Sequence, residues 1–119
     1  MKLDDLDLVA ENEAGFEIEA VPGVFLTVIG PYSRQARLSD IAYFKRVENL
    51  NADGVSEAEF AQKADLYSVG RAASRIIGWR GIDEPYTPEL ATRLCEINPV
   101  IRLAVISESE KLENFMRSK

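Results

Sequence analysis

The run Val69-Gly-Arg-Ala-Ala-Ser-Arg-Ile-Ile-Gly-Trp-Arg-Gly-Ile-Asp-Glu-Pro-Tyr-Thr-Pro-Glu-Leu90 constrains the fold more than any other stretch. Leu66, Val69, Ala72, Ala73, Ile76 and Ile77 recur at helical spacing. Upstream, Ser56-Glu-Ala-Glu59 fits a capping box, with Val55 and Phe60 at the hydrophobic-staple positions, so the helix is expected over 57–78. Gly70, Ser74 and Gly78 repeat every fourth residue, a small-residue ridge that would let another helix approach closely, with plain core packing as the simpler reading. Trp79 sits between Gly78 and Gly81 with Arg80, read either as a large anchor closing the core or as an interface hot spot. A short polar crossing leads to Thr87-Pro88, an N-cap followed by proline at its favoured first helical position.

The rest of the chain is read outward from this run. Phe16-Glu-Ile-Glu-Ala20 alternates apolar and charged residues as a half-exposed strand does. Val21-Pro-Gly-Val24 is a turn, and Phe25-Leu-Thr-Val-Ile29 is β-branched and aromatic, which predicts a hairpin over 15–29. A lone hairpin is marginal in water, so this one must pack on the helices or pair with another chain. Ser33 caps a helix running to about Asn51, whose apolar residues at spacing three drift round its surface. Asn98-Pro99 repeats the cap-and-proline device and starts the last helix. Val100, Leu103, Ala104 and Ser107 line one face of it, and Ile101, Val105, Leu112, Phe115 and Met116 extend another. The expected fold is mainly α (α+β), an N-terminal hairpin followed by about four helices packed as one bundle-like domain over 15–119. Residues 1–14 form an acidic arm before it.

Charge and residue types limit the chemistry. Seven acids against Lys2 alone give residues 1–20 the entire net charge of −6, while the remainder is balanced. That arm reads as a solvated leader or as a docking segment for a basic partner, and phosphate-backbone binding by it is disfavoured. There is no histidine, and Cys95 is alone. Imidazole bases, Ser-His-Asp and Cys-His nucleophile systems, zinc clusters and an internal disulfide are thereby removed. Asp83-Glu84 beside Arg80 lacks any partner set for acid–base work, and Asp40, Glu48, Asp53 and Asp65 read as surface or turn residues. Arg71, Arg75 and Arg80 fall close together on the predicted helix, but acids dilute them as a nucleic-acid patch. Cys95 reads as a small buried hydrophobe. No phosphate-binding glycine motif and no membrane-length apolar run occurs, and an acidic start is unlike a targeting peptide. The expectation is a cytoplasmic protein that is not an enzyme and needs no metal or cofactor.

The central run also resembles a known family. Ile77-Gly-Trp79, Gly81-Ile82, the acidic loop, Pro85-Tyr86-Thr-Pro-Glu-Leu90, Leu94 and the Asn98-Pro99 helix start are similar to tail assembly chaperones of long-tailed, lambda-like bacteriophages and prophages. Gly23-Val-Phe-Leu-Thr-Val-Ile-Gly-Pro-Tyr-Ser33 and Lys111-Leu-Glu-Asn-Phe115 extend the likeness over roughly residues 15–116, although the loop between Trp79 and Tyr86 is shorter than in many relatives. The resemblance implies a non-enzymatic virion-assembly factor that binds the tape measure protein, keeps it soluble and brings tail tube protein to it. It further implies self-association as a homo-oligomer. Phe25 on the hairpin and Leu112, Phe115 and Met116 near the C-terminus are the candidate partner-binding residues, with Trp79, Tyr86 and Pro88 as structural anchors. The alternatives are a structural virion component (head–tail joining or tail-terminator subunit) and an antitoxin-like binding module.

Overall fold

The computed structural model describes residues 1–116. A 3-10 turn, Leu3–Leu6, precedes helix α1, Leu8–Ala14, and the hairpin of β1, Phe16–Val21, and β2, Val24–Val28. Helices α2, Arg34–Ala52, and α3, Glu57–Ala73, follow, then strand β3, Ile76–Arg80, helices α4, Pro88–Ile97, and α5, Pro99–Ser109, and a second 3-10 turn, Leu112–Phe115. The fold is mainly α, with one small antiparallel sheet ordered β1-β2-β3.

The expected hairpin forms, and its Pro22-Gly23 turn has Gly23 at φ +83°, a conformation open to glycine. Leu26 pairs with Ile18 on one side and with Trp79 on the other, so β2 is the central strand. The partner the hairpin needs is thus supplied by its own chain.

This corrects the expected helix over 57–78. The helix ends at Ala73, and Ile76-Ile-Gly-Trp-Arg80 is a strand. Two β-branched residues, a glycine and a tryptophan favour extended backbone once an unpaired edge is offered, and β2 offers one. The 3.6-residue period runs on through Ile76 and Ile77 by coincidence of spacing, and tertiary pairing overrides it. The small-residue ridge goes with it. Gly78 lies in the strand, and a Cβ on Gly70 would meet nothing within 4 Å, so no helix approaches there.

Helix starts follow their caps. Ser33, Ser56, Thr87 and Asn98 each accept a backbone N–H three residues on, at 3.2, 3.2, 3.1 and 3.0 Å. Glu59 does not complete the reciprocal half of the capping box; it bonds Lys63 at 3.0 Å instead. Asn98 sits at φ −132°, ψ 89°, outside the α region, which turns α4 into α5 through a sharp elbow.

Leu26, Val28 and Ile76 from the sheet meet Val69 and Ala72 of α3, Ala91 and Cys95 of α4, and Ile101 and Val105 of α5 in one core. Helix α2 contributes nothing to that cluster. It buries only Ala36 and Leu50 and packs on α3. The contact is largely polar: Ser74 Oγ donates to Ser39 Oγ at 2.9 Å, and Arg71 and Arg75 both reach Asp40.

A second knot ties the two ends of the chain. Asn12, fully buried, donates to the Leu8 carbonyl and accepts the Tyr32 amide, and its backbone carbonyl accepts the Gly30 amide at 2.9 Å. Ser109 Oγ donates to the Ile29 carbonyl at 2.6 Å. A Cβ on Gly30 would run into both Asn12 and Phe115, so only glycine fits between them. The arm drawn over 1–14 therefore divides: residues 8–14 are anchored through Asn12, while the first turn, Leu3–Leu6, buries nothing.

Candidate functional site

Charged side chains are mostly absorbed by structure. Arg75, 0% exposed, lies 2.7 Å from Asp40 through Nη2 and donates through Nη1 to the Arg71 carbonyl. Arg71 bridges Asp40 at 2.9 Å and Glu110. Burial works to raise the Asp40 carboxyl, but the hydrogen bonds from Arg71 and Arg75 outweigh it and hold the group below its ordinary value. Asp40, expected as a surface or turn residue, is instead part-buried as the counter-ion of two arginines. Asp65, an exposed residue as expected, pairs with Arg102 at 2.8 Å, and Arg102 also donates to the Cys95 carbonyl. The Nε atoms of Arg75 and Arg102 are buried without a hydrogen-bond partner among the described residues.

Arg80 is separated from Arg71 and Arg75 altogether. It lies on β3, forks onto Glu17 at 3.0 and 2.9 Å, and stacks 3.9 Å over the Phe25 ring. The Arg80 hydrogen bonds lower the Glu17 carboxyl. Phe25 is therefore a half-buried residue roofed by a guanidinium, not an open apolar edge. Cys95 is fully buried, and burial pushes its thiol up to about 11, so at neutral pH it is a protonated core group. Among the described residues no group of three or more His, Cys, Asp or Glu side chains is placed to hold a metal ion, and no helix is long and apolar enough to cross a membrane.

The C-terminal candidates also move. Helix α5 stops at Ser109, Leu112 and Phe115 belong to the 3-10 turn that follows, and Met116 comes just after it in extended conformation, so none of the three lies on a face of α5. Phe115 is 4% exposed, edge-on to Phe16 at 6.1 Å, and so offers no surface. Leu112 is half-buried and Met116 exposed. Trp79 and Tyr86 meet edge to face at 5.3 Å and pin the crossing loop from both ends. Trp79 Nε1 donates to the Glu84 carbonyl at 2.8 Å, and the Tyr86 hydroxyl donates to the Ile76 carbonyl at 2.7 Å. Pro88 stands exposed at the first position of α4.

Open apolar surface lies elsewhere. At the α4–α5 elbow, Ile97, Val100 and Leu103 are each 67% exposed. Ile97 also lines an open groove of about 140 Å³ with Trp79, Ile82, Leu90 and Leu94, where Glu84 and Arg93 supply the charge. That volume is below the roughly 300–1,000 Å³ of small-molecule sites, and suits an inserted apolar side chain. The cause is visible in α5: Ile101 and Val105 face the core, which turns Val100 and Leu103 outward. Sequence reading saw two apolar faces on this helix but had no means of telling which one the sheet would cover. On α2, Leu38, Ile41 and Phe44 are also exposed. No family model matches the chain, and no curated protein or solved structure does either.

Proposed function

We propose that the chain is a tail assembly chaperone that holds apolar helices of a tape measure protein and promotes assembly of tail tube protein around it. The observation that supports this is the apolar elbow of Ile97, Val100 and Leu103 beside the Trp79 groove. Three aliphatic side chains held outward by two capped helices form a rigid surface of the kind that shields another protein's apolar face. A holdase of this type needs contact area and no reactive group.

The test is co-expression with the tape measure protein of the same genome. The expected result is a soluble complex, and Val100→Asp with Leu103→Asp should return the partner to the insoluble fraction. A partner that precipitates equally with and without the chain sinks the reading. Recovery of the chain in finished particles at fixed stoichiometry would favour a head–tail joining or tail-terminator subunit instead.

A further inference from the structure

Strand β1 is an edge. It pairs with β2 alone, and no described residue makes a hydrogen bond to the backbone on its other side. At the opposite edge of the sheet the Ile76 carbonyl of β3 is taken by the Tyr86 hydroxyl, and Trp79 holds the crossing loop to the strand. A row of amides and carbonyls left open, as on β1, is a template for one more strand. Beside it runs an open groove of about 330 Å³, walled by residues 16–20 of β1 and by Ala104 and Glu108 of α5. The groove follows five consecutive residues of the strand and has an alanine opposite them, so an extended chain has room between strand and helix.

Side chains along the edge define what such a chain would carry. Ile18 is buried in the core, which leaves Glu17 and Glu19 exposed on the other face of the sheet. The titratable groups that line the groove are Glu17, Glu19 and Glu108, all of them acids. Glu17 is answered by Arg80 and Glu108 by Lys111. Glu19 takes the Gly23 amide on one carboxylate oxygen at 3.2 Å and forms no ion pair with any described residue, so the edge keeps a negative surplus. A second copy of β1 is a poor occupant for it. Antiparallel pairing of two such strands about Ile18 sets Glu17 of each against Glu19 of the other, and like charges directly opposite destabilise a ladder. Bases at those positions would be matched instead.

We propose that the groove along β1 receives an extended basic segment of a partner protein, which adds to the three-stranded sheet as a further strand beside β1. Backbone hydrogen bonds supply the attachment, as in other cases of strand addition. Alternate side chains of the segment then divide between two surroundings. One set lies on the face of Glu17 and Glu19 and is lysine or arginine. The other lies toward Ala104 and is small or β-branched. The groove shares no residue with the α4–α5 elbow or with the Trp79 groove, and its test needs no tape measure protein. Failure here and failure of the chaperone reading are therefore separate results.

The probe is a hexapeptide of alternating valine and lysine, as long as β1. Fluorescence anisotropy with the full chain should give saturable binding below millimolar concentration, and the bound peptide should slow hydrogen exchange at amides within residues 16–20. N-methylation of one alternate set of peptide amides should abolish binding and methylation of the other set should leave it, because only one set faces β1. Glutamate in place of lysine in the peptide should weaken binding about tenfold. Glu19→Lys, a change at an exposed position, should reverse that preference, and its binding of the glutamate peptide shows that it is folded. No binding at millimolar peptide, equal binding of the two methylated forms, or slowed exchange confined to other segments would each overturn the proposal. So would a chain that dimerises with the amides of residues 16–20 already protected, since the edge would then belong to a second copy.

Discussion

Asp40 has the most to lose of any single side chain. It is the shared acceptor of Arg71 and Arg75, and Arg75 is wholly buried. Asp40→Asn leaves that guanidinium buried without its counter-charge, and the expected cost is about 3 kcal/mol in a denaturant titration at neutral pH. The pH dependence follows from the lowered carboxyl. Above about pH 4 the group is ionised in both folded and unfolded chains, and its contribution is fully present. As pH falls through the folded carboxyl's lowered value, the proton binds and the contribution is lost. The gap in melting temperature between wild type and Asp40→Asn should therefore be constant down to about pH 4 and close below it. Gly70 predicts the opposite sign. It is an exposed interior helix residue whose added Cβ would meet nothing, so Gly70→Ala should raise stability by about 1 kcal/mol in the same titration. The sequence identified the glycine as costly but assigned it a packing role that the early end of α3 removes.

At the scale of elements, local signals were the legible ones. Ser33, Ser56, Thr87 and Asn98 open helices because a cap is a bond three residues long, wholly contained in the sequence around it. The Pro22-Gly23 turn was legible for the same reason. Strand β3 was not, because what makes Ile76–Arg80 extended is β2, some fifty residues away along the chain. The same distance problem hid the surface. Whether α5 buries Ile101 and Val105 or Val100 and Leu103 depends on which side meets the sheet, and both sets have helical spacing. Phe25 and Phe115 were reasonable candidates by residue type and were lost to a guanidinium roof and to the core. The elbow then carries its own prediction. Val100→Asp with Leu103→Asp should change unfolding free energy by no more than about 0.5 kcal/mol, since both side chains already face water. Binding of an apolar fluorescent dye should fall in the same variant, and unchanged binding would place the adhesive surface elsewhere.

For the whole molecule, the fold divides into a core that contains the sheet, α3, α4 and α5, and a long helix, α2, attached to it by polar contacts. The closing turn belongs to the core. Phe115 packs on Phe16 and beside Gly30, so Phe115→Ala should cost about 3–5 kcal/mol, a loss that heat or denaturant unfolding would register as a single cooperative shift. Residues as far apart as Ile29 and Ser109 are joined by a hydrogen bond spanning eighty positions. During synthesis, therefore, the hairpin emerges first with β2 unpaired on one side, and it remains so until Arg80 has been made. The Asn12–Gly30 junction stays unsealed for longer still, until Phe115 clears the ribosome. The sheet and the Asn12–Gly30 junction are thus completed only by residues far downstream of them, and contacts of such sequence separation slow folding relative to a chain of local contacts.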